Sequence, residues 1–173
     1  MSKIIDNIWL GGVVDVNNPG FYSQITHVIN CTDREVKYKM LRAESVKLDL
    51  TDEEENFADV KTRILRGARY LNFWNTAAKD QMIMVHCMAG ISRSPSIIIA
   101  YLTIYRGYHY DDAFAFVAKK HGFIRPNQLY ENVLRSLQPS DAQLSMSRAS
   151  SGEGLVTLVK SKRINLLDTI SQI

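Results

Sequence analysis

The chain has 173 residues, 46% of them hydrophobic and 23% charged, which is typical of a globular protein with room for one ordinary domain. Its net charge of +3 is too small to indicate nucleic-acid binding, and no apolar stretch is long enough to span a membrane. Two cysteines, Cys31 and Cys87, cannot build the disulfide framework of a small secreted protein, and no secretory signal opens the sequence. We therefore expect a cytoplasmic protein, with the nucleus as a second compartment, whose thiols stay reduced.

Short strands and helical patterns follow one another along the first 138 residues. Apolar alternation or short apolar runs predict strands at residues 8–10, 27–30, 46–50 and 82–85. Apolar spacing of three and four predicts helices at about 57–78, 94–106, 110–120 and 127–137. Strands followed by helices in this order predict an α/β fold with a central, mostly parallel twisted sheet flanked by helices.

The composition changes after Gln138. Residues 139–154 are rich in Ser, Gly and other small residues and are interpreted as a linker. Residues 155–173 have a weak amphipathic pattern with basic residues. This C-terminal segment has no assigned role, and three options stay open: it docks on the domain, binds a partner, or joins two chains in a homodimer.

The most informative segment is residues 85–95, VHCMAGISRSP. A buried strand brings Cys87 to its carboxyl end, the edge at which open α/β sheets bind ligands. Five residues follow, including Gly90, which tolerates backbone conformations that other residues avoid. The next helix then begins. Such a loop on a helix N-terminus turns backbone N–H groups inward and makes an anion site.

The side chains of this loop suit phosphate chemistry. Arg93 offers a planar fork of donors that matches two phosphate oxygens. The same positive surroundings lower the pKa of a thiol, so Cys87 is expected to be a thiolate at neutral pH. A thiolate held beneath a bound phosphate is a nucleophile in line with phosphorus.

The pattern His-Cys-x5-Arg-Ser between a strand and a helix resembles the signature of the protein tyrosine phosphatase superfamily. The fuller CMAGISRS sequence is similar to the dual-specificity branch, in particular its MAP-kinase-phosphatase-like members. Residues 8–11, 26–30 and 124–127 resemble further family segments in the right order, so the likeness covers roughly residues 4–138. It implies the cysteine-phosphatase fold, a catalytic domain over residues 1–138 and a phosphocysteine intermediate.

The resemblance also assigns roles within the site. The loop from Met88 through Ala89, Gly90, Ile91 and Ser92 binds the substrate phosphate together with Arg93. Ser94 hydrogen-bonds the Cys87 sulfur and helps it to leave, His86 orients the loop from behind, and Asn127 supports the surrounding loops. Capping of a helix is an alternative interpretation for both Ser94 and Asn127.

The general acid is expected upstream of the cysteine. In the family this Asp follows a strand of alternating apolar residues, and Leu48-Asp49-Leu50-Thr51-Asp52 has that form, so Asp52 is predicted to protonate the leaving oxygen. The separation from Cys87 is a few residues longer than the family usually shows. Glu53, Glu54 and Glu55 therefore stay open as alternatives, as does a solvated acidic loop before a helix.

Three further features carry weaker hypotheses. Cys31 is interpreted as a packed core thiol, with a redox-protective disulfide to Cys87 as the alternative that some relatives suggest. Arg125 is interpreted as a solvated arginine, although it could reach a second phosphate or an acidic substrate. A basic run is interpreted as a solvated helix face, with a substrate groove as the alternative: Arg34, Lys37, Lys39 and Arg42.

These features favour a phosphatase that acts on phosphotyrosine and on phosphoserine or phosphothreonine in proteins, with a MAP kinase as one candidate substrate. The alternatives are the same chemistry on an RNA 5′-triphosphate, a phosphoinositide or a glycan phosphate, and a phosphate-binding relative without activity. The neutral loop residues argue for protein, and the retained Cys87 and Arg93 argue for catalysis. No cofactor or metal is expected, because the four histidines show no ligand spacing.

Overall fold

The computed structural model of the chain describes residues 1–39, 43–53, 56–77 and 81–143. Its strands are β1 Ser2–Ile5, β2 Ile8–Gly12, β3 His27–Asn30, β4 Glu44–Lys47 and β5 Ile83–Cys87. Its helices are α1 Val13–Val16, α2 Phe57–Ala77, α3 Arg93–Arg106, α4 Tyr110–His121 and α5 Gln128–Arg135. Within these residues, no helix is both long and apolar enough to cross a membrane.

The five strands form one sheet in the order β1-β2-β5-β3-β4. β5 pairs in parallel with β2 and β3, β3 pairs in parallel with β4, and β1 pairs antiparallel to β2 at the edge. β5 is buried along its whole length, as expected for a central parallel strand covered on both faces. The predicted α/β fold with a mostly parallel sheet is therefore confirmed.

Helix α3 lies at the centre of the core, where it packs against α2, α4, α5 and β5. Ile97, Ile98 and Ile99 are fully buried although they point in three directions around the helix axis. A helix that is apolar nearly all round has to be covered on all sides, and the neighbouring helices cover this one. The helix ends at Gly107, whose φ of 74° is the left-handed conformation that glycine adopts readily.

The chain departs from the predicted elements near the strand expected at 46–50. β4 ends at Lys47 because Asp49 takes a φ of 55°, which turns the backbone out of the extended conformation. Leu48 and Leu50 are nevertheless buried, so the apolar alternation marks burial here and not strand. β1 and α1 were not predicted; each has only four residues, too few for a clear pattern.

The compact unit of the chain continues a few residues past 138. Asp141 is buried, its Oδ2 accepts a hydrogen bond from the Gln138 N–H at 2.8 Å, and its Oδ1 lies 3.2 Å from Lys61 Nζ. Residues Met1–Ala142 thus form one compact unit. The linker was predicted at residues 139–154, and the part of it after Gln143 lies outside the described residues, as does the segment 155–173.

Candidate active site

Cys87 is the last residue of the central strand β5. The register pairs it with Gly12 at the end of β2, while Asn30 at the end of β3 pairs with His86. Three parallel strands therefore end together, and the chain then turns into the N-terminus of α3. The side chain of Cys87 is almost completely covered and lines the floor of a cleft.

Hydrogen bonds converge on the sulfur of Cys87. The Ser94 hydroxyl oxygen lies 3.2 Å from Sγ, and the Gly90 N–H donates to Sγ over 3.3 Å. Burial raises the pKa of this thiol, but the Ser94 side chain, the Ser94 and Gly90 N–H groups and the charge of Arg93 outweigh it and lower the pKa below its ordinary value. These contacts favour the thiolate.

Replacing Ser94 by alanine tests this stabilisation. Hydrogen bonds to charged groups contribute about 1.5–3 kcal/mol, and one pKa unit corresponds to about 1.4 kcal/mol, so the Cys87 pKa should rise by about one to two units. Because only the thiolate reacts with iodoacetamide, the half-maximal rate of alkylation should move to higher pH by that amount. Ser96→Ala is the control, since the Ser96 hydroxyl bonds the Ser92 carbonyl. An unchanged profile in Ser94→Ala would contradict the assignment.

Carbonyl groups of the loop after Cys87 accept hydrogen bonds from neighbouring segments of the chain. The Met88 carbonyl accepts from Val13 N–H at 3.1 Å, and the Ile91 carbonyl accepts from Arg125 N–H at 2.8 Å. Gly90 has a φ of 78°, and a Cβ at this position would lie 2.9 Å from the Gly11 carbonyl carbon. Glycine is therefore required here both by conformation and by the close approach of β2. The loop's N–H side faces the sulfur, as the Gly90 bond shows.

Arg93 is the first residue of α3, and its guanidinium is nearly covered. Nη2 lies 2.9 Å from Asp52 Oδ2, and Nη1 donates to the Leu50 carbonyl at 3.2 Å. Nη1 also lies 3.8 Å from Asp33 Oδ1. The buried Nε has no hydrogen-bond partner within the described residues. A buried donor without a partner costs free energy.

Asp52 faces the cleft from the loop after β4. Its carboxylate is half exposed, and the ion pair with Arg93 brings it to the site. The Tyr130 hydroxyl of α5 donates to the Thr51 carbonyl at 2.6 Å, which holds the neighbouring residue in place. Glu53 is exposed and does not line the cleft, while Glu54 and Glu55 lie outside the described residues. The role of Asp52 as general acid stays a prediction.

His86 supports the loop from the side away from the cleft. The ring is fully buried, with Nδ1 3.2 Å from the Cys87 carbonyl oxygen and Nε2 2.9 Å from the Tyr38 hydroxyl. Burial lowers the pKa of His86 to about 4, so the ring is neutral at neutral pH. A neutral ring with a proton on Nδ1 donates to the carbonyl and accepts from Tyr38. This placement agrees with the supporting position inferred from the resemblance.

The two helix-capping alternatives come out differently. Ser92, not Ser94, occupies the N-cap of α3, so the capping interpretation of Ser94 is wrong; its hydroxyl is turned toward Cys87. Asn127 does cap α5, where its Oδ1 accepts from Tyr130 N–H at 2.9 Å. Its own N–H donates to Ser92 Oγ at 3.3 Å and thereby contacts the loop that follows Cys87.

Other candidate residues lie away from the cleft. Cys31 is a buried thiol of the core, and burial together with the charge of Cys87 raises its pKa; its redox role stays a hypothesis. Arg34, Lys37 and Lys39 are exposed in an irregular loop and do not line the cleft, so the helix face predicted for the basic run is wrong there. Arg42 lies outside the described residues.

Sequence reasoning missed Tyr38, Tyr130 and Asp33, whose contacts with the site join distant parts of the chain. Arg125, by contrast, was noted in the sequence and does reach the cleft. The cleft has a volume of about 720 Å³. Its lining comprises Asp52, Cys87, Met88, Ala89, Ile91, Ser92, Arg93, Arg125, Pro126, Asn127, Gln128 and Glu131.

A parallel sheet that brings a cysteine of lowered pKa to a loop at a helix N-terminus, beside an arginine and a carboxylate, is the arrangement expected of a cysteine phosphatase. The chain belongs to the dual specificity phosphatase family: the family's catalytic-domain model matches residues 8–139. It is therefore a hydrolase of the protein phosphatase class, as the fold, the site and the family match agree.

Individual relatives agree with this assignment. Protein 123R of Invertebrate iridescent virus 6 is 30% identical over 129 residues, covering 73% of this chain and 83% of its own length. Dual specificity protein phosphatase 22-A of Danio rerio is 27% identical over 145 residues. That match covers 80% of this chain but only 65% of the zebrafish protein. The crystal structure of DUSP15 superposes with a TM-score of 0.68 at 20% identity, covering 89% of this chain and 97% of that one.

Proposed function

We propose that this protein hydrolyses phosphotyrosine and phosphoserine or phosphothreonine in protein substrates through a phosphocysteine intermediate. The observation that carries the proposal is the meeting of three groups in one cleft. The surroundings lower the pKa of Cys87, Arg93 has a buried donor without a partner among the described residues, and Asp52 lines the same cleft with its Oδ2 2.9 Å from Arg93 Nη2.

In the first step, the phosphate group binds the loop N–H groups and Arg93. Its oxygens take the place of the Asp52 carboxylate on the guanidinium, since a dianion competes well for the same donors. The Cys87 thiolate attacks phosphorus, a phosphorus–sulfur bond forms and the bond to the substrate oxygen breaks. The Asp52 carboxylate, released from the guanidinium, takes up a proton from the solvent and gives it to the leaving oxygen, so an alcohol or phenol departs.

In the second step, water hydrolyses phosphocysteine. The Asp52 carboxylate accepts a proton from the attacking water, the phosphorus–sulfur bond breaks, and inorganic phosphate and the Cys87 thiolate are regenerated. The Ser94 hydroxyl, 3.2 Å from Sγ, stabilises the negative charge that returns to sulfur.

Two features support a protein substrate. The cradle side chains are neutral (Met88, Ala89, Ile91 and Ser92), whereas a polyphosphate substrate would favour several cations at the phosphate loop. The cleft is open and partly apolar, which suits an amino-acid side chain carrying its phosphate into the site. A phosphorylated MAP kinase is one substrate within this class, proposed from the family.

The proposal is tested by metal-free hydrolysis of four substrates: a phosphotyrosine peptide, a doubly phosphorylated Thr/Tyr peptide, a phosphoinositide and a 5′-triphosphate RNA. We expect phosphate release from both residues of the doubly phosphorylated peptide, and its loss in Cys87→Ser. Turnover of the lipid or the RNA alone would overturn the substrate class. Binding of phosphopeptide without turnover of any substrate would overturn the catalytic proposal.

A further inference from the structure

Four charged side chains line the cleft, and three of them already have partners. Asp52 pairs with Arg93 at 2.9 Å. Glu131 Oε1 accepts from Arg135 Nε at 2.9 Å, one helical turn further along α5. Arg125 is exposed, and its guanidinium has no ion-pair or hydrogen-bond partner in the described part of the chain. Among these four side chains, Arg125 alone has no ion-pair partner within the described residues.

The backbone fixes Arg125 relative to the phosphate cradle. Its N–H donates to the Ile91 carbonyl at 2.8 Å, in the middle of the loop that carries Cys87. Two residues later, Asn127 N–H donates to Ser92 Oγ at 3.3 Å. Pro126, buried between these two contacts, restricts the backbone further. The side chain of Arg125 thus starts from a backbone position fixed against the loop that follows Cys87, and it lines the same cleft.

We propose that Arg125 forms a second anion subsite that selects phosphopeptides with a carboxylate or a second phosphate close to the scissile phosphate. This inference rests on the proposed function and specifies its substrate. An arginine fork binds carboxylate and phosphate alike, so the two sources share one chemistry. Because Arg125 is exposed, its pairing with an anion should weaken as the salt concentration rises.

The remaining lining favours a peptide over a lipid headgroup. Met88, Ala89, Ile91 and Pro126 are apolar, and Met88 is 37% exposed at the cleft surface. Such a wall suits the aromatic or aliphatic parts of amino-acid side chains. A polyphosphorylated inositol ring carries several hydroxyls and phosphates that would need polar partners, and this wall offers a single free cation among the described residues.

The experiment uses three phosphotyrosine peptides that differ only in the residues flanking the phosphotyrosine: glutamine, glutamate or phosphothreonine. Each is tested with the full-length wild type, Arg125→Gln, Arg125→Lys and Lys119→Gln. Lys119 is exposed on α4 and does not line the cleft, so it controls for the loss of one positive charge. Dissociation constants of the same peptides are measured on the Cys87→Ser background, so recognition is observed apart from turnover.

We expect the wild type and Lys119→Gln to prefer the anionic peptides over the glutamine peptide roughly three- to tenfold in kcat/KM and in affinity. Arg125→Gln should lose this preference, and Arg125→Lys should restore part of it. Preference for glutamate and for phosphothreonine together identifies an anion subsite; preference for phosphothreonine alone identifies the phosphate as its ligand.

Equal preference in the wild type and Arg125→Gln would overturn the inference, as would the absence of any preference in the wild type. Faster hydrolysis of a bisphosphorylated inositol lipid that depends on Arg125 would overturn the choice of peptide. Failure of the proposed function looks different: the glutamine peptide would then not be hydrolysed by the wild type at all, whatever the affinities measured with Cys87→Ser.

Discussion

Replacing Cys87 by serine is expected to lower kcat for a phosphotyrosine peptide by on the order of 10⁴-fold or more. A serine hydroxyl is not ionised at neutral pH, and the donors around this position stabilise a thiolate, not an alcohol. Binding should survive, since the loop N–H groups and Arg93 are unchanged and no negative charge opposes the phosphate. Steady-state turnover and the dissociation constant of the peptide measure the two effects.

The other cysteine provides the matched control for this variant. Cys31→Ala removes a buried thiol from the end of the adjacent strand without touching the cleft lining, so activity should be retained. Acid-quenched wild type incubated with a labelled phosphopeptide should carry phosphate on protein, and Cys87→Ser should not. Activity of Cys87→Ser within tenfold of the wild type would exclude Cys87 as the nucleophile.

Replacing Asp52 by asparagine is expected to lower kcat by about 10²- to 10⁴-fold for substrates with a poor leaving group, because proton transfer to the departing oxygen is lost. The loss should be smaller for an aryl phosphate whose phenol is acidic, since that oxygen departs with less need of a proton. Rates of the first turnover for an alkyl and an aryl phosphate, compared between wild type and variant, measure this difference.

Leaving-group dependence separates two roles of Asp52. If the carboxylate served only to position Arg93 through their 2.9 Å ion pair, asparagine would slow all substrates equally. The neighbouring glutamates are the controls: Glu53→Gln, Glu54→Gln and Glu55→Gln should retain activity. A large, leaving-group-dependent loss in one of these variants, with Asp52→Asn near wild type, would transfer the general-acid role to that residue.

The core of the fold could be predicted because its signals are local. β5 and α3 are largely apolar, and an apolar strand or helix of this kind has to be covered by other parts of the protein and shielded from water. Gly107 marks the helix end by a conformation that other residues avoid. The edge strand β1 and the helix α1 gave no such signal. Each has four residues and a single buried side chain, which is too little to show a strand or helix periodicity of apolar residues.

Local patterns were misleading where a turn interrupts them. The alternation around Leu48 predicted a strand, but Asp49 in the left-handed region ends it, and the apolar side chains are buried without strand pairing. The residues that follow this turn contact Arg93, the Leu50 carbonyl through a hydrogen bond and Asp52 through an ion pair. A polar residue between two apolar ones does not reveal which backbone conformation it adopts.

The strand–loop–helix unit around Cys87 could be predicted from the sequence: the cysteine after a buried strand, the glycine in the loop, and the arginine and serine at the start of the next helix. These residues are contiguous, and the geometry of a strand–loop–helix unit follows from their spacing. Only the tertiary structure decided what surrounds the cradle. Asp52 meets Arg93, Tyr38 meets His86, and Arg125 meets Ile91 across long stretches of chain. Such contacts depend on how helices pack on the sheet, and no local pattern encodes that packing.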